Sequence, residues 1–548
     1  MIPMSDIDNI IRYHERTKHH FYRYANSLGY LDWETQPYPF REWIDSPKIN
    51  LLGYQKDPGL TYEKLYSNDN DPHPVNIGSI STLFFYSMAI SAWKSTGSAS
   101  WALRVNPSSG NLHPTESYLL INATGEICDT PSVFHYASDT HSLELRRRFS
   151  KNAWQELISN SPDGTFFILL TSIPWRESWK YGERAFRYCQ HDCGHAIGAI
   201  RLACSMLGWS AHLIMGVTDE SIDKILGIDD KSIFAAGETE HADCLLRIVP
   251  ENYLQPGKFE ISSGPLPEII NGELFGKPNR LSHDHHEWQV VETAVQSSLR
   301  TQSGIQFEGL DAGIPPAAID NSGSPVSAAQ IIRQRRSAVM MDGATGIDSS
   351  RFYKILVKLL PQETGVPWDT IPWTPKIHLG MFLHKVHGLS PGIYALIRHP
   401  ASMEPVKQKM SPDFLWQKPD NCPLNIPLYF LEEKNVQGIA SSVSCQQEIA
   451  GQGAFSLGML AEFSGPLNTY GAHFYRCLHW EAGLIGQVLY LEAEAAGLRG
   501  TGIGCFFDDP VHDVFGITGN SLQTLYHFTV GGPLDDGRLT TLPAYEES

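Results

Sequence analysis

Apolar positions along the chain recur with two different spacings. From Cys189 to Leu207 they keep a helical period, and Gly208 stands where a left-handed residue would stop the helix. Ahead of it, Phe166 to Leu170 is a short unbroken apolar run, as a buried strand requires. The same order, with Leu428 to Leu431 as the strand, returns in the C-terminal half. A further apolar run, Tyr118 to Ile121, predicts another buried strand. Pro74 to Trp93 holds no charged residue over 20 positions, but Asn76, Gly78 and four serines interrupt it, which is costly in lipid. Its Leu83, Tyr86, Ile90, Trp93 spacing predicts a buried amphipathic helix instead of a membrane span.

The recurrence is a repeat. Residues 181–208 align with 470–497 at a constant offset of 289 without a gap. Tyr181 meets Tyr470, Arg187 meets Arg476, Gly194 meets Gly483, and Gly208 meets Gly497. After a single-residue gap Gly216 meets Gly504, and the offset returns at Gly227-Ile228 on Gly516-Ile517. In both copies a glycine-containing strand or loop follows the helix, and then a short helix, with Asp219 and Asp509-Pro510 as expected caps. We therefore expect two homologous α+β halves, 1–254 and 326–548, packed as a pseudo-dimer within one chain. Residues 255–325, rich in Gly, Pro, Ser and His, read as a linker.

Composition narrows the function. The chain has 548 residues, and 42 Lys plus Arg against 60 Asp plus Glu give a net charge of −18. Hydrophobic residues make up 42%, enough for large cores, so global disorder is excluded. The acidic balance argues against nucleic acid and against anionic lipid, which need clustered cations. Nine cysteines without a CxxC pair fit reduced thiols in a cytoplasm better than a secreted scaffold, and the N-terminus shows no signal-peptide pattern.

Three motifs carry candidate chemistry. Asn106 to Pro114 (NPSSGNLHP) joins Pro107 and Gly110, which set a turn, to Ser108, Ser109 and Asn111. Those hydroxyl and amide groups suit the heteroatom edge of a planar ring, although a plain surface turn before a buried strand has the same composition. Ile331 to Ser337 (IIRQRRS) places Arg335, Arg336 and Ser337 together, a grip for phosphate or a solvated basic turn. Val530 to Arg538 (VGGPLDDGR) adds a cation after a Gly-rich turn.

With the long helix and the Gly504 loop, these motifs resemble the nitroreductase-like FMN flavoprotein superfamily. The opening YHERTKHHFYRYANSLGYLDW and Lys180-Tyr181 are similar to its thiazole/oxazole-forming branch, the SagB-type azoline dehydrogenases. The resemblance covers nearly the whole chain, each half counting as one family unit with a central antiparallel sheet flanked by helices. It implies that Pro107, Ser108, Ser109, Gly110 and Asn111 contact FMN from one half. Arg335, Arg336, Ser337, Gly502, Ile503, Gly504 and Arg538 would contact it from the other. The match is asymmetric, because the second half reads IPWTPKIHL (371–379) where the Ser-Ser-x-Asn turn is expected. The first half offers only Arg16-Thr17-Lys18 near its start and Arg247 near its end. One FMN per chain is the expectation, with the second site degraded. A basic residue common two positions after the RRS serine in the family is here Val339.

The resemblance also implies catalytic roles for Lys180 and Tyr181, which would take the proton that accompanies hydride removal. The expected function is an FMN-dependent oxidoreductase. Its substrate would be a peptide-borne azoline oxidised to an azole, or a nitro or quinone compound reduced with NAD(P)H bound only transiently. The alternative is a non-catalytic scaffold whose flavin sites have decayed. No metal site is expected, since Cys189/Cys193 and His191/His195 point to different sides of one helix. His283, His285 and His286 read as solvent-facing. Expected partners are a small molecule or modified peptide, with no nucleic acid or membrane; a further homodimer stays open.

Overall fold

The computed structural model describes residues 4–251, 264–302, 307, 326–361 and 365–545. Each half is built on an antiparallel sheet with the same strand order. In the first half the order is Ser142–Arg148, Ser132–Ala137, Thr115–Ile121, Phe166–Ser172, His241–Val249, Ser210–Leu213. In the second it is Leu428–Glu433, Gly392–Leu396, Ile377–Leu383, Phe455–Glu462, Leu522–Gly531, Arg499–Ile503. The α+β expectation for both halves holds. Leu428–Glu433 is a strand, but it sits at the sheet edge as the counterpart of Ser142–Arg148. The true counterpart of Phe166–Ser172 is Phe455–Glu462, whose small Ser456 and Gly458 hide it from a reading of apolar runs.

Two helices of 22 residues, Ala185–Met206 and Phe474–Ala495, lie at the centre, their ends offset by 289 as the repeat requires. Almost every residue of both is buried, so charged side chains they carry, such as Arg187, Asp192 and Arg201 on one and Arg476 and Glu481 on the other, need partners inside the fold. They cross where Gly194 meets Gly483. A Cβ on Gly194 would lie 2.7 Å from Trp480 Cα and 2.9 Å from Gly483 Cα, so the two backbones touch at the repeat's own centre.

The short helices Asp219–Leu226 and Asp508–Phe515 are also 289 apart, and here the expected caps need correction. Thr218 caps the first by accepting from Ser221 N–H, and the second begins after Phe507 with no side-chain cap. Asp219 and Asp508 instead sit in the first turns, fully buried, each held by two arginines. Asp508 pairs with Arg184 at 2.9 Å and Arg187 at 2.8 Å, while Asp219 pairs with Arg300 at 2.9 Å and with Arg476. Arg187 and Arg476 come from the long helix of the opposite half, so the two halves lock reciprocally.

Other segments cross between the halves. The C-terminal strand Thr540–Leu542 pairs with Ile90–Ser95, which pairs with Ser100–Arg104. Ile90 and Trp93 therefore belong to a strand; the helix expected over 74–93 spans only Ile77–Phe85. Part of the segment read as a linker is built structure. Glu273–Leu274 adds to the edge of the first sheet, and helix Gln289–Ser297 packs on helix Asp6–Arg16. His283 and His286 are exposed and His285 is half-buried. Within 255–325, residues 255–263, 303–306 and 308–325 lie outside the described residues. No helix among the described residues is long and apolar enough to cross a membrane.

Candidate functional site

A cavity of about 390 Å³ opens between the halves. One wall is the turn that contains Pro107, Ser108, Ser109, Gly110 and Asn111. Gly110, Asn111 and His113 all have left-handed backbones, with φ of 58°, 60° and 53°. For Asn and His this costs roughly 1 kcal/mol or more each, so the turn must be held from outside. It is: Ser109 N–H and Oγ each donate to Asp192 Oδ1 at 3.0 Å, and Asn111 Nδ2 donates to Ala102 O at 2.7 Å. His113 N–H closes the turn on Ser108 Oγ at 2.8 Å. A Cβ on Gly110 would meet Tyr181 Oη at 2.5 Å and Lys180 Nζ at 3.2 Å, so glycine here lets the Lys180-Tyr181 pair approach the turn. Tyr181 lines the cavity, and Lys180 stands behind it with Nζ 5.2 Å from the ring centre.

The opposite wall comes from the second half. Ser337 bridges to Gly500, and Tyr490 Oη accepts from Gly502 N–H at 2.9 Å while lying 3.0 Å from Ser337 Oγ. One tyrosine thus ties the RRS segment to the Gly502-Ile503-Gly504 loop. A Cβ on Gly504 would run into the Tyr188 ring and one on Gly502 into the Tyr526 hydroxyl, so both glycines let this loop approach the tyrosines.

At one end the cavity is crowded with cations. Lys94, Arg104, Arg335 and Arg336 line it, and none makes an ion pair among the described residues. Arg335 donates from Nη2 to the carbonyls of Arg104 and Val105, at 3.0 and 3.2 Å, and its Nε has no partner. Burial, with Arg335 and Arg333 nearby, pushes Arg336 down to about 10. Uncompensated cations in a buried cleft favour an anion, and a phosphate would relieve their mutual repulsion. Asn106 Oδ1 and His195 Nδ1 are likewise buried without partners on this wall. These polar groups fit a planar, polar-edged ligand with a phosphate tail.

Sequence reasoning left out several lining residues. Asp192, His195, Tyr188, Tyr490, Tyr526 and Lys94 all face the cavity. Burial pushes the Asp192 carboxyl up to about 7, against the pull of its hydrogen bonds from Ser108 and Ser109. Glu177, on the preceding helix Pro174–Tyr181 and buried with no partner for either oxygen, is also raised, by burial and then by the charge of Asp192. Helical spacing excludes the histidine of the run DCGH (192–195) as a zinc ligand beside Cys189 and Cys193. His195 instead reaches the cavity and lies 3.2 Å from Tyr526 Oη.

One expected contact is misplaced. Arg538 points to solvent, its side chain 87% exposed and paired with Asp536 at 2.6 Å, and it does not line the cavity. Its neighbour Leu539 does, as does Val339. Cys189 and Cys193 are core residues, His191 stacks on Tyr526, and among the described residues no three metal-ligating groups converge.

The pseudo-symmetric position is filled. Glu481, the counterpart of Asp192 at the 289 offset, accepts from Lys376 N–H at 3.0 Å and Ile377 N–H at 3.2 Å and pairs with Arg398. Arg201, the counterpart of Tyr490, is tied to Asp369 at 2.7 Å. Buried Trp368 and Trp373 pack the same region.

The nitroreductase family model matches residues 97–237 and 406–532, one segment in each half. A solved structure from Anabaena variabilis, described as a nitroreductase, has 22% sequence identity and a TM-score of 0.69, covering 96% of this chain and 99% of its own. A Ralstonia eutropha structure of the same description has 12% identity and a TM-score of 0.27, covering 39% and 92%. The Escherichia coli microcin synthetase McbBCD complex, with truncated pro-MccB17 bound, has 18% identity and a TM-score of 0.26, covering 44% and 92%. No curated protein matches the sequence. The nearly end-to-end likeness to the Anabaena structure shows the fold, and the two family segments show that it is present twice.

Proposed function

Two nitroreductase-family units in one chain supply the premise from which we propose that this protein is an FMN-dependent oxidoreductase with one flavin site per chain. The observation that carries the reading is the meeting, in one cleft, of the first half's Ser108-Ser109-Gly110-Asn111 turn with the second half's Arg335-Arg336-Ser337. Bound there, FMN would supply hydride chemistry at its ring. Lys94, Arg335 and Arg336 would hold its phosphate. Pro107, Ser108, Ser109 and Asn111, with the Gly502-Ile503-Gly504 backbone, would hold the ring.

The chain's own residues handle the proton. Burial, then Tyr188 and Glu177, raise the Tyr181 phenol well above its ordinary value, so it stays protonated near neutrality and can donate a hydrogen bond into the cavity. Asp192, at about 7, changes charge near neutrality on the same wall. We assign proton transfer to Lys180 and Tyr181, with a peptide-borne thiazoline or oxazoline as the preferred substrate class. Nitro or quinone reduction with NAD(P)H is the competing substrate reading.

Purified chain mixed with FMN should give a bound-flavin spectrum that is lost on denaturation, and Arg335→Ala should weaken FMN binding at least 10-fold. With a thiazoline peptide, Lys180→Ala and Tyr181→Phe should lower turnover about 10²-fold without loss of flavin. A protein that stays colourless with excess FMN would instead support a scaffold.

A further inference from the structure

Two cysteines meet at the rim of the cavity. Cys505 follows Gly504 directly and lines the cavity; Cys445 lies 60 positions earlier, in the turn after helix Gln437–Val443. Their sulfurs are 2.6 Å apart, inside ordinary non-bonded contact and close to the about 2.05 Å of a covalent bond. Both are free thiols and both are half-buried, so small reagents can reach them.

The backbone is shaped to bring them together. Cys445 and Gln446 are both left-handed, with φ of 54° and 59°, and each costs roughly 1 kcal/mol or more for a residue with a side chain. Gln447 Nε2 then donates to Cys505 O at 3.0 Å and Ser444 O at 2.9 Å, and Phe507 N–H donates to Val443 O at 2.8 Å. Two strained residues and three bonds hold one thiol against the other. Six of the remaining seven cysteines are buried in the core, Cys193 and Cys244 among them as a neighbouring pair enclosed away from the cavity rim. The hydrogen bond shared with Cys445 lowers the Cys505 thiol below its ordinary value; burial opposes it, and the Arg184 guanidinium adds to it. Arg184 also donates to Gly504 O at 3.2 Å, which places it beside this loop. A thiolate at Cys505 is the better nucleophile of the two.

We propose that Cys445 and Cys505 form a reversible disulfide site, oxidised by low-molecular-weight disulfides, that covalently joins the Gly502–Cys505 loop to the Ser444–Gln447 turn on the cavity wall. In the first step Cys505 thiolate attacks one sulfur of a disulfide such as oxidised glutathione, forming a mixed disulfide and expelling one glutathione thiolate. Cys445 thiolate then attacks Cys505 Sγ and expels the second. One S–S bond breaks and one forms, the protein loses two electrons and two protons, and two glutathione thiols carry them away.

The test needs no flavin, so its outcome is independent of the proposed cofactor. Full-length chain, fully reduced and then freed of reductant, should show nine thiols to Ellman's reagent after denaturation. After incubation with excess oxidised glutathione it should show seven, with a Cys445–Cys505 crosslinked peptide by mass spectrometry. Reduced glutathione should restore nine. Cys445→Ser should stop at the first step and carry a glutathione adduct on Cys505. Nine thiols retained after oxidation, a crosslink between other cysteines, or a Cys445→Ser chain without an adduct on Cys505 would overturn the proposal.

Discussion

Asp192 shows how one side chain can serve both structure and chemistry. It holds the strained Ser109-Gly110-Asn111 turn through two bonds from Ser109, and it does so while buried enough to titrate at about 7. In the unfolded chain the same carboxyl loses its proton near about pH 4. Between those values the folded state binds the extra proton, so stability falls as pH rises through the window and stays lower above it. Asp192→Asn removes this dependence. Its stability relative to the unaltered chain should therefore rise by about 2–4 kcal/mol from about pH 4 to about pH 8, read by denaturant unfolding at each pH. The serine turn and the arginine triplet were legible in the sequence because their chemistry is local to the motif. Asp192 was not, because its shifted pKa comes from burial between a helix and a turn distant in sequence. Arg538 was misplaced for the converse reason, since a cation after a glycine turn says nothing of which way it points, and Asp536 holds it outward.

At the scale of elements, the two long helices cross with their backbones in contact. Gly194→Ala should lower stability by about 1–3 kcal/mol or more, because the added methyl meets main-chain atoms that cannot yield. Gly465→Ala, where a Cβ meets nothing within 4 Å, should be neutral or stabilising in the same thermal-melt comparison. The buried arginine clusters should matter as much. Asp508→Ala leaves Arg184 and Arg187 without their shared counter-charge and should cost about 3–5 kcal/mol. The helices were readable from period and from Gly208 because they are long and locally determined. Phe455–Glu462 escaped notice, and Ile90–Ser95 was mistaken for helix, because each is defined by partners far along the chain: Ile377–Leu383 and Leu522–Gly531 for one, the C-terminal strand for the other.

For the whole molecule, duplication explains the division of labour. The 289 offset gives both halves the same sheet order and the same central helix, yet among the described residues one of the two pseudo-symmetric positions keeps an open cleft with unpaired cations. The other is closed by the Arg201–Asp369 pair, by Glu481 and by two tryptophans. Refilling should be hard to undo: Arg201→Tyr, which copies Tyr490 into the closed position, should create no second flavin site and should destabilise the chain by leaving Asp369 buried and unpaired. The most direct test of the account is the number of flavins per chain. Full-length protein saturated with FMN, freed of excess, denatured and assayed by flavin absorbance against chain concentration should release about one FMN per chain. A value near two, or none, would contradict it.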